Sequence, residues 1–527
     1  MGEGSEEKTT KTQVRVQNGV KRMIAAVVCV IVEVTVFLLI INALSGAVKA
    51  IYFAILVLDV LLVLAIYSQD KTAAMKMPWI VLILAVPILG VSLYLIIGLN
   101  GSTRKMKKRY AEMAERLSPM LVSDGKNVEE LAESDPETAG IARYVERYMG
   151  FPLYKNTELT YYSDTNEALR ALKKALRDAK RFIFMEYYAI EDAVIWKGIL
   201  EILERKAAEG VEIRIFYDDM GSIGFINTDF VRRMQAKGFA CRVFNPFSLG
   251  LNFFLNNRDH RKITVIDGQT GFTGGFNLAD EYFGLKEPFG KWKDAGVRLE
   301  GEAVRSLTVA FLEMWNAVRA KDADDTSFAA YLSSSDYKRT PAFAPEGYVQ
   351  PYTDGPVSKE RGGENIYMSA VESARDYIWF TTPYLVLTDE MIRAMTLAAK
   401  RGVDVRIVTP GIPDKKVIYS ITRSYYNSLA KCGVRIYEYT PGFVHAKLCV
   451  TDDRMAVCGT VNLDYRSLYQ NFEDGCVFSH CRAVGEVKKD IEALIADSAE
   501  VTEQYASGRS AGLRTGQLFL RLFAPLF

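Results

Sequence analysis

The distribution of apolar and polar positions divides the chain into regions of different character. Three apolar stretches crowd the first hundred residues: Met23 to Leu44, Val48 to Tyr67 and Met77 to Gly98. Each is about 20 residues long, the length at which a helix crosses roughly 30 Å of hydrocarbon. They follow one another with almost no amphipathic pattern, so buried helices of a soluble core explain them poorly and membrane insertion is expected. A polar, helical-looking connector follows, Tyr110 to Thr138. Beyond it, short apolar runs alternate with helix-period patterns, as in an α/β body.

That alternation occurs twice. A helix-like run with Leu169, Leu172 and Leu176 leads into the strand-length run Arg181 to Tyr188. A helix over Ile199 to Ala208 then ends at Gly210, and the strand Val211 to Tyr217 follows. The later part repeats the order with a strand in Ala374 to Phe380, a helix over Met391 to Ala399, Gly402, and Val403 to Val408. Glycine followed by an apolar strand recurs at Gly238 to Phe244 and again at Gly433 to Tyr437. Two long copies of one α/β unit are a duplication, not a solenoid of short repeats. The Asp-, Ser- and Pro-rich stretch from Ala320 to Thr353 reads as the connection between the halves. The expected order is a membrane region (1–100) with two to three apolar helices, a basic and polar connector (101–150), a first half (151–320) and a linker (321–350). A second half (351–500) and an amphipathic tail (501–527) complete it.

Composition changes this picture little. Lys plus Arg total 65 against 64 Asp plus Glu, so no global field argues for nucleic acid. Seven cysteines without a Cys-x-x-Cys suggest neither a disulfide framework nor a zinc site. Local charge is more informative. Basic residues precede the first apolar stretch (Arg15, Lys21, Arg22), separate the second from the third (Lys71, Lys76), and follow the third (Arg104, Lys105, Lys107, Lys108, Arg109). Three spanning helices cannot place all three clusters in the cytoplasm, so one segment breaks the positive-inside rule or does not span. Glu33 and Asp59 mark the first two stretches as candidates, each costing ~2.5–3.5 kcal/mol at a helix centre. The dense last cluster places the following body on the cytoplasmic face, beside anionic headgroups.

The chemistry concentrates in a repeated spacing. Of only three histidines, two open the pattern His-x-Lys-x-x-x-x-Asp: His260, Lys262, Asp267 and His445, Lys447, Asp452. Gly274 and Asn277 keep register with Gly459 and Asn462, each pair separated by the same interval (445 − 260 = 185; 462 − 277 = 185). His260 and Lys262 share one face of a strand, as do His445 and Lys447, forming a compact anion site. One imidazole can attack the phosphorus of a phosphodiester, and the second can protonate the departing alkoxide and later deprotonate an incoming alcohol. Lysines and an asparagine amide can neutralise the non-bridging oxygens. The halves then meet at one shared site. Gly274-Gly275 and Gly459 are expected to allow close backbone approach there or to form tight turns. No His-x-x-x-His or carboxylate cluster has metal spacing, so chemistry without metal or cofactor is expected; His480 reads as a surface or structural residue.

The paired motifs, continuing as Gly-Gly-x-Asn and Gly-Thr-x-Asn, resemble the phospholipase D superfamily. The context resembles bacterial cardiolipin synthases: Met185-Glu-Tyr-Tyr188, Phe272 to Leu278, Thr382-Pro-Tyr384, Tyr439 to Lys447, Gly459 to Ser467, Pro87-x-x-Gly90 and the terminal Ala524-Pro-Leu-Phe527. The resemblance implies two pseudo-symmetric phospholipase D-like α/β/α halves with the active site between them, preceded by transmembrane helices. It also implies a multi-pass enzyme of the bacterial cell membrane, acting on phosphatidylglycerol within an anionic phospholipid bilayer. The reaction would join two phosphatidylglycerols into cardiolipin and glycerol through a phosphatidyl-histidine. A membrane-bound phospholipase D hydrolase, or a transferase using another donor such as phosphatidylethanolamine, is the alternative. The implied catalytic set is His260, Lys262, Asp267, His445, Lys447 and Asp452, with His260 as nucleophile, His445 as acid then base, and the two aspartates as framework partners. Lys262, Lys447, Asn277 and Asn462 would bind phosphate. Asp294 and Glu473 would orient the imidazoles, each expected to serve the histidine of its own half. The tail, with Leu518, Phe519, Leu522 and Phe523 beside Arg514 and Arg521, would lie in the membrane interface or pack on the body.

Overall fold

The computed structural model describes residue 35 and residues 48–95, 104–121, 123, 125–246, 257–318, 328–332, 346–507, 520–522 and 524. The first apolar stretch apart from Thr35, and most of the linker and tail, lie outside these residues. The second stretch is a helix, Val48–Tyr67. The third, expected as one element, is two: helix Ala73–Ala85 ends at Val86, and Pro87 opens helix Pro87–Leu93. A proline has no N–H to continue the ladder, and it biases the residue before it away from helical dihedrals. Val86 accordingly has φ −140° and ψ 76°. Gly90 seats the second piece against the first, since a Cβ there would lie 2.6 Å from the Ile83 Cα. Among the described residues no helix is long and apolar enough to cross a membrane by itself.

The body is a pair of mixed sheets. The first half supplies β1 (Thr157–Tyr162), β2 (Phe182–Tyr187), β3 (Glu212–Asp218), β4 (Ala240–Phe244), β5 (Lys262–Ile266), β6 (Thr270–Gly274), β7 (Lys291–Lys293) and β8 (Gly296–Gly301). The second supplies β9 (Tyr348–Asp354), β10 (Tyr377–Thr381), β11 (Asp404–Pro410), β12 (Arg435–Tyr439), β13 (Gly442–Val444), β14 (Lys447–Thr451), β15 (Met455–Gly459), β16 (Glu473–Ser479) and β17 (Ser498–Glu500). The first sheet runs β1-β8-β6-β5-β2-β3-β4. The second, β9-β16-β15-β14-β10-β11-β12, follows the same order strand for strand and adds β17 at its edge. The duplication read from sequence is therefore a duplication of topology.

Two boundaries differ from expectation. The linker reading runs into Tyr348–Asp354, which is β9, the edge strand paired antiparallel with β16 along seven residues. Its polar alternation, with Gln350 and Thr353, disguises a strand whose residues are all buried by their neighbours. The second half also continues past residue 500 into helix Thr502–Ala506, where Tyr505 stacks edge-on against Tyr426. Of the tail, Leu520 packs on the second-half core and Arg521 lies over the Tyr425 ring at 4.2 Å.

Helix patterning agrees with burial. Helix Thr165–Asp178 starts where the Asp164 carboxylate accepts the Asn166 N–H, and buries Thr165, Leu169, Leu172 and Leu176, three or four residues apart, with Ala168 beside them. One buried apolar cluster joins the halves. It combines Phe184, Ile263 and Leu299 of the first sheet with Leu448, Val450 and Phe478 of the second. Helix Val304–Val318, buried on nearly every face, and helix Arg482–Ala496 complete it. The connector helix Arg104–Leu117 enters the same cluster through Tyr110 and Leu117. The shared core packs the two halves together.

Candidate active site

Each motif begins just before a central strand, and its lead-in bonds to the opposite half. The His260 N–H donates to the Phe472 carbonyl (2.8 Å), and the Phe472 N–H to the Arg258 carbonyl (2.8 Å). Across the pseudo-dyad the His445 N–H donates to the Lys293 carbonyl (2.7 Å), where β7 and β13 pair in parallel. Phe472 immediately precedes Glu473, and Lys293 immediately precedes Asp294. Backbone pairing thus delivers each acid to the histidine of the other half.

The side chains complete that exchange. His260 Nδ1 lies 2.7 Å from Glu473 Oε2, and His445 Nδ1 lies 2.7 Å from Asp294 Oδ2. Asp294 and Glu473 are the acids expected beside the imidazoles, but each contacts the histidine of the other half and not that of its own. The interdomain bridges set the partnership, and the motif spacing carries no trace of them. Each ring keeps Nε2 free of protein hydrogen bonds among the described residues, and both histidines are less than a tenth exposed. A carboxylate on Nδ1 fixes the tautomer that leaves Nε2 basic.

The two acids sit in different surroundings. Asp294 also accepts the Ala295 N–H, and the neighbouring His445 and Lys447 hold its carboxyl below the usual range despite burial. Glu473 accepts from the hydroxyls of Thr460 (2.5 Å) and Ser467 (2.7 Å) and from the Asn471 amide (3.1 Å); burial nevertheless pushes it up to about 7. The Gly-Gly versus Gly-Thr difference between motifs belongs to this asymmetry. A Cβ at Gly275 would lie 2.0 Å from Asp294 Oδ1, whereas at the matching position Thr460 contributes its hydroxyl to Glu473. Gly274 and Gly459 allow close packing on the neighbouring strand, where a Cβ would meet Gly296 and Gly475 at 2.5 Å. These glycines therefore serve strand packing and the orienting acids.

Burial and crowding of positive charge govern the remaining groups. Burial and Lys447 pull His445 down to about 3, and burial with Lys262, Lys447 and Lys415 pulls His260 well below the ordinary imidazole range. Lys262 and Lys447 are themselves lowered, to about 8 and about 7, mainly by burial. Each ammonium rests on the carbonyl of its own motif histidine. Four buried basic groups that raise one another's cost of charge form a site that an anion would stabilise.

The other expected site residues take more distant places. Asp267 and Asp452 lie at the far ends of β5 and β14, five residues and roughly 16 Å beyond the lysines. Asp267 accepts the N–H groups of Lys180, Arg181 and Phe182, and Asp452 those of Arg375, Asp376 and Tyr377, all at 2.7–2.9 Å. They clamp the starts of β2 and β10. Asn277 is occupied: its carbonyl accepts the Ala189 N–H and its amide donates to the Tyr282 hydroxyl (2.7 Å). Asn462, its counterpart, is buried with Oδ1 unpartnered among the described residues. His480 is structural, bonding Asp135 at 3.0 Å.

Several site neighbours escape motif reasoning. Tyr188 stands edge-on to His260 at 5.0 Å, and Tyr282 and Trp292 flank His445 at 5.4 and 5.3 Å. Asp474 accepts the Lys262 N–H (3.1 Å) and the Thr273 hydroxyl across the seam. Under His260 the fully buried Arg261 pairs with Glu186 at 2.5 Å and Asp259 at 3.2 Å. The only sequence signal for that group is Glu186 standing among the apolar and aromatic residues of β2.

Comparison with known proteins agrees with this geometry. The chain matches the family described as "Cardiolipin synthase, PLD-like domain" over residues 172–315 and 367–495, and a phospholipase D-nuclease N-terminal family over 51–98. It is 31% identical to a cardiolipin synthase of Halalkalibacterium halodurans over 88% of this chain and 91% of that one. With a cardiolipin synthase of Oceanobacillus iheyensis it shares 32% over 89% and 97%. An uncharacterised Streptococcus mutans protein is 40% identical over 87% and 98%. The crystal structure of a Haemophilus influenzae phosphatidylserine synthase shares the fold, with TM-score 0.55, 14% identity, and coverage of 73% of this chain and 97% of that one.

Proposed function

Because the chain belongs to the cardiolipin synthase family of phospholipase D-like enzymes, we propose that it transfers the phosphatidyl group of one phosphatidylglycerol to a second, giving cardiolipin and glycerol. The carrying observation is the crossed pair of imidazole–carboxylate contacts, which leaves both Nε2 atoms without a protein hydrogen bond among the described residues and within the field of Lys262 and Lys447. In this reading His260 Nε2 attacks phosphorus while the imidazolium of His445 protonates the departing glycerol oxygen. The terminal hydroxyl of the second lipid then gives its proton to His445 and attacks the phosphatidyl-histidine, which restores the enzyme and leaves cardiolipin. The acids support this order. Asp294 stays ionised and favours a cation on His445, whereas an anionic Glu473, its charge spread over two hydroxyl donors and an amide, accepts the Nδ1 hydrogen of His260 while stabilising a cation there less. Burial and the lysines keep either imidazole from carrying charge readily, and a phosphodiester anion offsets the lysines that suppress it.

The N-terminal region, in this proposal, anchors the enzyme in the bilayer with the body at the cytoplasmic face. Its helix Val48–Tyr67 leaves Val57, Leu58, Leu61 and Leu64 exposed, a surface suited to lipid. The test supplies labelled phosphatidylglycerol to the purified protein in mixed micelles. Cardiolipin with equimolar free glycerol is the expected result. Phosphatidic acid as sole product would make the protein a hydrolase, and inertness without phosphatidylethanolamine would make it a transferase with another donor.

The pH dependence follows from the same groups. Glu473 must be anionic to accept the Nδ1 hydrogen of His260, so kcat/KM rises as pH climbs through its value of about 7. Lys447 and Lys262 must be ammonium to hold the phosphodiester, so kcat/KM falls as pH climbs through about 7 and about 8. The expected profile is a narrow bell with its maximum near neutrality. A plateau from about pH 6 to about pH 9 would contradict it.

A further inference from the structure

The two lipids in this reaction are chemically alike, yet one offers its phosphorus and the other its glycerol hydroxyl. A symmetric site would treat them equally, so discrimination has to arise where the halves differ. They differ beside His445. After β10 the chain runs Thr382-Pro383-Tyr384, and Tyr384 stands where the first half has Ala189, since Leu385 bridges Leu463 as Ile190 bridges Leu278. β3 ends in Asp218, whose carboxylate is buried on Arg258 and the Asp259 N–H. β11 ends instead in Pro410 and continues through Asp414 and Lys415 into helix Lys416–Ala430.

These second-half residues form one group at the rim of the site. The Tyr384 hydroxyl donates to Asp414 Oδ2 at 2.5 Å. The Phe443 ring relates Tyr384 to His445, with centroids 6.5 Å from the first and 6.0 Å from the second. Lys415 Nζ is 5.4 Å from the Tyr384 ring centre and 3.9 Å from Asp414 Oδ2. The other carboxylate oxygen, Asp414 Oδ1, is shielded from solvent and has no hydrogen-bond partner among the described residues. A shielded acceptor without a donor is costly, and a ligand hydroxyl is the donor that this position lacks.

We propose that Asp414 Oδ1, braced by Tyr384, accepts a hydrogen bond from the glycerol headgroup on the His445 side, with Lys415 facing that lipid's phosphate. The ligand class is a polyol esterified to phosphate. An ammonium headgroup fits less well, because Lys415 repels it and already neutralises the carboxylate. The proposal rests on the phosphatidyl-transfer reading. It gives the second half a headgroup subsite that the first half lacks.

The test uses the full chain in mixed micelles with a phosphatidyl p-nitrophenyl ester as donor, and offers glycerol or ethanolamine as acceptor against water. Transfer is expressed relative to total p-nitrophenol release by the same variant. For Asp414→Ala the expected result is a rise in the glycerol KM of about tenfold, a larger fraction of phosphatidic acid, and a weaker preference for glycerol over ethanolamine. Tyr384→Phe should move the same quantities in the same direction, and Asp414→Asn less. A glycerol KM and an acceptor preference equal to wild type in Asp414→Ala would overturn the subsite. Loss of all p-nitrophenol release in all three variants would overturn it too, by assigning the group to scaffolding. Wild-type protein that transfers to neither acceptor would instead refute the transfer reading itself.

Discussion

Glu473→Gln is expected to abolish the same step as His260→Ala, and Asp294→Asn the same step as His445→Ala, although each pair straddles the two halves. With the p-nitrophenyl donor the leaving group needs no proton, so the first step requires only the nucleophile and its orienting acid. His260→Ala should lose the p-nitrophenol burst entirely, and Glu473→Gln should slow it by about 10²–10⁴-fold through the wrong tautomer. His445→Ala and Asp294→Asn should still give a burst of about one equivalent and then stall, because no base remains to activate the acceptor hydroxyl. Rapid-quench measurement of burst amplitude separates the two classes. If Glu473→Gln fell with His445→Ala, each acid would serve its own half, contrary to the 2.7 Å contacts. The grouping tests the crossing whichever histidine is the nucleophile, since acid and histidine must fail together.

Arg261→Met is expected to destabilise the body by about 3–5 kcal/mol, the cost of stranding buried carboxylates without their cation. Arg261 is completely buried between Glu186 and Asp259, donates to the Ala310 carbonyl at 3.3 Å, and lies in the field of Glu313 and Tyr110. Burial already pushes Glu186 well above the ordinary carboxyl range even with Arg261 present. Without the guanidinium the folded-state values of Glu186 and Asp259 rise further. A raised folded pKa favours the protonated native form, so the loss of stability should be small in acid and grow as pH rises above the unfolded carboxyl values near ~4. Denaturation midpoints at about pH 5 and about pH 8 check the sign; a defect larger in acid would contradict it. The second half offers an internal comparison. Thr381 occupies the place of Glu186 and bonds the Ala446 carbonyl at 2.8 Å, with Ala446 in the place of Arg261. The same position is therefore charged in one half and neutral in the other.

Much of the site was legible because catalysis needs particular atoms at fixed strand spacing. Histidine and lysine two residues apart at the head of a central strand can be read from a line of text, as can their recurrence after 185 positions. The helix–glycine–strand order was legible for a similar reason, since a residue after Gly210 or Gly402 resumes from a left-handed turn with φ 88° or 97°. Less visible was β9, whose seven residues are buried by a neighbouring strand and not by their own alternation. The break at Val86 was written in Pro87, but a count of apolar residues passes over it.

The sequence by itself determined the duplication, the α/β class, and the two imidazoles with their lysines. These depend on local periodicity and on residue chemistry, both of which survive in one dimension. Only the tertiary structure decided which acid serves which histidine, which asparagine remains free, and where the halves cease to be equivalent. Those choices depend on backbone bridges between residues some 150 to 210 positions apart, His445 with Lys293 and His260 with Phe472. They depend also on differences in burial that separate an ionised Asp294 from a Glu473 pushed up to about 7. A spacing rule records neither, because long-range pairing and desolvation are properties of the packed chain.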